Sequence, residues 1–240
     1  ANPASSFDRK WMALQILKEF TTVFFAPMDK QTPKYAKQSK LWHAPHDFDL
    51  SFAFTPANTM VLIHGVIDSW DKTRQLACEI LQLIPGQTLP GFETTDQVDK
   101  LMLWTRDLIA SPRVKESDAG ALLLRLLYQR YILGATWSIQ FCDAVVAAEC
   151  HGDSDPAIYF LWELVKMLQQ QTQGSSRDLE SASLHSLVHG VLLTLRYCMS
   201  ETNFRNISAS QQVADWRKLI ATVLEILQKV AEIALWAIGD

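Results

Sequence analysis

The chain has 240 residues, of which 48% are apolar and 20% charged, with a formal net charge of −4. That profile belongs to a globular protein of one large or two small domains, and the charge balance excludes a strongly basic nucleic-acid binder, a local patch aside. Cys78, Cys142, Cys150 and Cys198 form no CxxC pair, which reads as reduced, mostly buried thiols of a cytoplasmic protein rather than a disulfide framework. No run of about 18 apolar residues is present, so no membrane insertion is expected, and the N-terminus shows no signal peptide. The first residue is Ala1, and Asp240 closely follows an apolar run, as in a piece of a longer protein.

Residues 7–25 read as the first helix, with Phe7, Trp11, Leu14, Leu17, Phe20 and Phe24 on one side and Asp8, Gln15, Glu19 and Thr22 on the other. Pro27 stops it. Residues 27–56 form an irregular connection in which Lys30, Lys34, Lys37 and Lys40 recur every three or four residues. They form either a basic contact face or a solvated lysine face. Within the same stretch, Phe48, Leu50, Phe52 and Phe54 alternate at period two and read as an extended segment packed on helices.

Residues 58–69 and 71–84 form a tight helical pair. Met60, Val61, Ile63, Val66 and Ile67 are the apolar part of its first helix, and Leu76, Ala77, Ile80, Leu81 and Ile84 line its second. Pro85-Gly86 and Pro90-Gly91 then mark turns. A second pair follows over 95–110 and 111–133, beginning roughly 38 residues after the first, a spacing typical of HEAT-like repeats. Val98, Leu101, Met102, Leu108 and Ile109 point inward from its first helix.

Pro112 ends the preceding element, and Glu116 or Ser117 opens the second helix of this pair, with Asp118 in its first turn. Ala119, Leu122, Leu123, Leu126, Leu127 and Tyr131 define an apolar face, while Asp118, Arg125 and Gln129 form a narrow polar stripe. A helix this apolar needs neighbours on more than one side. Gly120 in its first turn costs about 1 kcal/mol of helix propensity and points to close approach by a neighbour.

Residues 136–149 read as a short helix or a packed loop. Three further helices cover 156–172 (Leu161, Leu164, Val165, Leu168), 180–199 (Leu184, Leu187, Val188, Val191, Leu195, Cys198, Met199) and 209–238. The last, about 45 Å long, has its seam at Trp216, Ile220, Val223, Leu227, Val230 and Ala234. The expected architecture is all-α: an α-solenoid of HEAT/armadillo-like hairpins in one repeat segment. Its parts are residues 1–56 (a helix and an irregular loop), 57–134 (two helical pairs) and 135–240 (further helices).

Little in the chain suggests catalysis. His185-Ser-Leu-Val-His189 puts two imidazoles at i, i+4, but position 186 is Ser, so the general base of HExxH is missing. A metal-dependent hydrolase built on His185 and His189 is the weakest reading, since Arg196 on the same side disfavours a dication. His43, His46 and Asp47 form a short local cluster that reads as loop. There is no nucleophile elbow, Walker loop or GxGxxG. Asp68, Asp71, Glu116 and Asp118 lie at helix junctions, where capping explains carboxylates. No catalytic, cofactor or metal residue is assigned. His185, His189 and Arg196 fall about 100–140° from the apolar seam of their helix and form a polar strip along its border. That strip either bonds to the neighbouring repeat or contacts a partner protein or a phosphate backbone.

Three motifs carry a resemblance. Asp68-Ser-Trp-Asp-Lys-Thr-Arg74 with Leu76, Ala77, Ile80 and Leu81 resembles the family of the thyroid adenoma-associated protein. So do Ser111-Pro-Arg113 followed by Glu116-Ser-Asp-Ala-Gly-Ala121 and Arg125, and His189-Gly-Val-Leu-Leu-Thr-Leu-Arg-Tyr197. Their order and spacing match the region before that family's central conserved domain, and together they cover most of residues 58–200. Residues 26–56 and 136–176 lie outside the match. The resemblance implies a segment of a very large α-solenoid. The fungal counterpart resembles the partner subunit of a tRNA ribose 2′-O-methyltransferase, required for modification at the first residue of the anticodon loop. The chain would then be a non-catalytic scaffold, with the methyltransferase subunit as protein partner and tRNA reached through the complex. A generic HEAT adaptor in transport or signalling shares the same periodicity.

Overall fold

The computed structural model describes residues 6–25, 51–133, 156–172, 182–202 and 210–239. Lys30, Lys34, Lys37, Lys40, the His43/His46/Asp47 cluster and the 136–149 segment lie outside them. Among the described residues there are eight α-helices and no strand. None of these helices is long and apolar enough to cross a membrane. The helices fall into two compact units, Ala1–Val98 and Asp99–Asp240.

In the first unit, α3 (Asp71–Leu83) packs against both α1 (Phe7–Phe25) and α2 (Pro56–Val66). α2 starts where the sequence offers its caps. Thr55 Oγ1 accepts the Asn58 N–H at 3.2 Å, and Pro56 fills the first helical turn, where a missing N–H is harmless. Leu62, Ile63 and Val66 of α2 are buried, as are Leu76, Ala77, Ile80 and Leu81 of α3. Met60 and Val61, expected inward, are exposed, so the seam of α2 lies one step further round the helix. α1 also departs from expectation. It buries Leu14 and Thr21, while Phe20 is 55% exposed. Thr21 tolerates burial because its hydroxyl donates to the Leu17 carbonyl at 2.7 Å.

Residues Ser51–Ala53 form a single 3₁₀ turn rather than an extended segment, with Phe52 exposed and Phe54 buried edge-on against Phe25. The Pro-Gly turns hold as read. Gly86 and Gly91 both take positive φ, and a Cβ on Gly91 would also sit 2.9 Å from Pro56 Cβ.

α4 (Thr95–Ile109) opens on a capping box. Gln97 N–H reaches Thr94 Oγ1, while Gln97 Oε1 takes the Glu93 and Thr94 N–H groups. The second unit then holds α5 (Val114–Leu127), α6 (Pro156–Thr172), α7 (Ala182–Glu201) and α8 (Ser210–Gly239). α5 packs on α7, and α6 packs on both α7 and α8. Within each unit, chain neighbours pair in two cases (α2 with α3, α6 with α7), whereas α4 and α5, expected as the second helical pair, are not packed along their lengths and meet around the Ile109–Gly120 corner. Next-but-one neighbours also pair (α1 with α3, α5 with α7, α6 with α8). α5 and α7 run in the same direction, because Ser117 meets Ser186, Asp118 meets His189 and Arg125 meets Glu201 in ascending order.

α5 begins at Val114, three residues before Ser117. Ser111 and Glu116 explain the earlier start. The Ser111 hydroxyl donates to the Glu116 carboxylate and accepts the Arg113 N–H, while Arg113 Nη1 donates to the same carboxylate at 2.9 Å. These bonds hold the Glu116 carboxyl below its ordinary value of 4.5, the Ser111 hydroxyl first and Arg113 second. A depressed carboxyl contributes stability above its unfolded pKa and loses it as pH falls through the folded value. Glu116→Gln is therefore expected to flatten the acid limb of a pH–stability profile below about pH 4.5 and to leave the neutral region nearly level. Parallel thermal melts of both chains would check this.

α5 ends in a π turn, Tyr128–Ile132, closed by Leu133 N–H to Tyr128 O at 2.9 Å. All the apolar positions expected of α5 are buried except the half-buried Leu122. Gly120 is buried as well. A Cβ there would lie 2.8 Å from Ile109 N and 3.0 Å from Leu108 Cβ. Gly120→Leu is expected to destabilise the chain by about 2 kcal/mol or more despite better helix propensity, since overpacking a rigid backbone outweighs it. Denaturant melts showing equal or greater stability would contradict the close packing.

α8 shows the largest departure from the expected seam. It buries Trp216, Leu219 and Ile226 against its unit, while Ile220 and Leu227 are exposed.

Candidate contact strip and its supports

α7 meets α5 through small residues. Ser186, Gly190 and Thr194 are buried on that side. Ser186 Oγ donates to the Pro112 carbonyl at 3.0 Å, and Ser117 Oγ lies 3.1 Å from both the Ile109 and the Ser186 carbonyls. The α4–α5 corner is thus tied to α7 by two buried hydroxyls. Thr194 satisfies its own hydroxyl on the Gly190 carbonyl at 2.7 Å.

His185, His189 and Arg196 all emerge exposed along the border of this contact, as a polar strip. His189 Nε2 sits 2.7 Å from Asp118 Oδ1, across to α5. It thus joins the polar stripe of α5 to the strip on α7. Further along, Arg125 Nε donates to Glu201 Oε1 at 2.9 Å, and the Arg125 guanidinium lies over the Tyr197 ring at 5.3 Å. The Tyr128 and Thr202 hydroxyls are 2.7 Å apart, and Thr202 donates to the Cys198 carbonyl at 2.9 Å. Burial, with the Glu201 charge second, pushes the Cys198 thiol far up, so it remains a protonated core thiol rather than a nucleophile.

These long-range pairs were not visible in the sequence. Asp118 and Arg125 mark one α5 stripe, but their partners lie 71 and 76 residues away on another helix. Among the described residues, no group of three or more His, Cys, Asp or Glu side chains could hold a metal ion. His189 is turned toward Asp118, and the described geometry brings no third ligand to the His185/His189 pair.

The Asp68–Arg74 motif proves to be a turn brace. Arg74, only 4% exposed, donates through Nη1 to the Asp68 carbonyl at 3.0 Å and through Nη2 to Asp71 Oδ1 at 3.1 Å. The Asp68 carboxylate takes Lys10 Nζ from α1 at 3.0 Å and the Trp70 N–H. Trp70 in turn lies against Phe7, with ring centroids 4.7 Å apart. One acidic residue thereby ties α1 to the α2–α3 turn.

Comparison with protein-family models, curated proteins and solved structures finds no match for this chain.

Proposed function

We propose that this chain is a non-catalytic scaffold segment of a cytoplasmic α-solenoid, of the kind the thyroid adenoma-associated protein family forms, supporting a tRNA 2′-O-ribose methyltransferase that acts on the anticodon loop. The observation that carries the reading is the triple motif resemblance. The helix pairing lends it physical sense. Neighbour and next-but-one contacts, with α5 and α7 running parallel, are what stacked hairpins produce. The motif residues hold turns and helix contacts, as expected of a scaffold whose chemistry belongs to a partner. The His185–His189–Arg196 strip is the surface such a partner would use, because Arg196 can pair with carboxylate or phosphate.

Arg196→Ala is expected to leave thermal stability within about 0.5 kcal/mol of the parent, since the side chain is exposed. His189→Ala gives up one half-exposed hydrogen bond to Asp118, a loss of about 1 kcal/mol or less. Both variants, placed in the full-length protein in cells, are expected to reduce co-purification of a tRNA methyltransferase and ribose methylation in the anticodon loop. Normal association and methylation in both variants remove the strip from the interface. A pull-down of the unmodified protein that brings no methyltransferase overturns the reading itself.

A further inference from the structure

The polar stripe of α5 and the polar strip of α7 open to one side. Asp118, Leu122, Arg125 and Gln129 follow at i, i+4, i+7 and i+11 along α5, and His189, Leu193, Arg196 and Ser200 do the same along α7. Side-chain pairs join the two ladders toward both ends. His189 meets Asp118 at one, and Arg125 meets Glu201 at the other, with the Arg125 guanidinium also laid over the Tyr197 ring. Arg196 stands between those pairs. It is exposed, and among the described residues no carboxylate pairs with it. Leu193, three residues earlier on the same side, is half-buried.

We infer that this strip takes a carboxylate of a protein partner, on a segment where an acidic residue stands next to an apolar one, and not the backbone of an RNA. The inference rests on the proposed scaffold role and names the chemistry of its contact. Charge decides between the two occupants. With the imidazoles counted as neutral, Asp118 and Glu201 cancel Arg125 and Arg196. Along the helix axis His189, which holds Asp118, lies about 10 Å from Arg196, and Glu201 about 7.5 Å. Both acids are therefore within roughly one Debye length of it, about 8–10 Å. A lone carboxylate needs only the Arg196 fork, and an apolar neighbour can settle on Leu193. An RNA strand brings a row of phosphates, and those on either side of the one at Arg196 would face Asp118 and Glu201. Phosphate affinity grows with the number of cations the backbone neutralises, and on this face a single cation is not already opposed by an acid. The net charge of −4 over the whole chain acts in the same sense.

The test uses the full-length protein in cells, with p-benzoylphenylalanine in place of Ser200, which is exposed one turn from Arg196. Light is expected to link it to the methyltransferase subunit, at a peptide carrying an aspartate or glutamate beside an apolar residue. Arg196→Glu is expected to remove that adduct and to weaken association about tenfold or more. A lysine at the mapped carboxylate of the subunit is expected to restore a good part of both, which separates a lost contact from a lost fold. Binding of tRNA is measured alongside. A phosphate contact at Arg196 would lower the slope of log affinity against log salt by about one in Arg196→Glu, and an unchanged slope is expected. A lowered slope, an adduct with RNA, or Arg196→Glu association as tight as the parent's overturns the proposal. If the methyltransferase co-purifies but no protein adduct forms, the carboxylate contact falls and the scaffold role survives. If no methyltransferase co-purifies but an Arg196-dependent adduct forms at an acidic segment of another protein, the scaffold role falls and the carboxylate contact is supported.

Discussion

Gly190→Ala is expected to destabilise the chain by about 3–5 kcal/mol, enough to unfold a marginal unit, although alanine is the better helix former by about 1 kcal/mol. The added methyl would sit 2.1 Å from Ser117 Oγ and 2.9 Å from the Ile109 carbonyl oxygen. Backbone cannot yield as a flexible side-chain tip does. The Ser117 hydroxyl would have to leave both carbonyl acceptors, and the corner would have to lift from α7. A double variant tests the cause. Ser117→Ala removes the nearest atom but not the Ile109 carbonyl, so Gly190→Ala/Ser117→Ala is expected to recover part of the loss, with a coupling of about 0.5–3 kcal/mol. Strict additivity in urea melts would mean that the two positions do not compete for the same space.

The second large effect concerns Arg74. Arg74→Met keeps most of the apolar stem and removes every donor, and is expected to cost about 2–4 kcal/mol by leaving the turn carbonyls of Asp68 and Ser69 without their partner. Asp71→Ala removes the carboxylate that faces the same guanidinium but is 63% exposed, and is expected to cost no more than about 1 kcal/mol. The inequality carries the argument. If Arg74 acts mainly as half of an ion pair, the two variants lose similar amounts. If it braces the turn, Arg74→Met loses much more. Arg74→Lys is expected to resemble Arg74→Met, because a single ammonium cannot span both the carbonyls and the carboxylate.

Helix positions were largely legible from apolar spacing, punctuated by Pro27, Pro112, Pro156 and the Pro-Gly turns. The side each helix buries was legible only where the apolar arc is narrow. α3, α6 and α7 have one such arc, and their core residues lie where the spacing puts them. α1 and α8 are apolar around more than half their circumference, so period alone could not say which part of the arc a neighbour covers. Phe20, Ile220 and Leu227 lie on the apolar arc but outside the part that a neighbour covers. The start of α5 was misread for a different reason. Ser117 has the composition of a cap, but its hydroxyl serves a tertiary contact with α7, and the bonds around Glu116 come from Ser111, outside the helix. Gly120 announced its close contact through its poor propensity. Gly190, in a tighter contact, gives the same propensity signal in the middle of α7, next to the exposed His189. His189 and Arg196 were legible as a strip, while Asp118 as the partner of His189 was not, because no local pattern links residues 71 positions apart.

The tie between Ser117 and the Ser186 carbonyl spans 69 residues of chain. During synthesis at roughly 5–20 residues per second, α5 leaves the ribosome some 3–14 seconds before the α7 segment that covers it exists. In that interval its leucines lack the α7 face that packs on them in the folded unit. The nascent chain is therefore most vulnerable to wrong partners while α6 is being made, and a holding chaperone that reads exposed leucine would find its target at Leu122–Leu127.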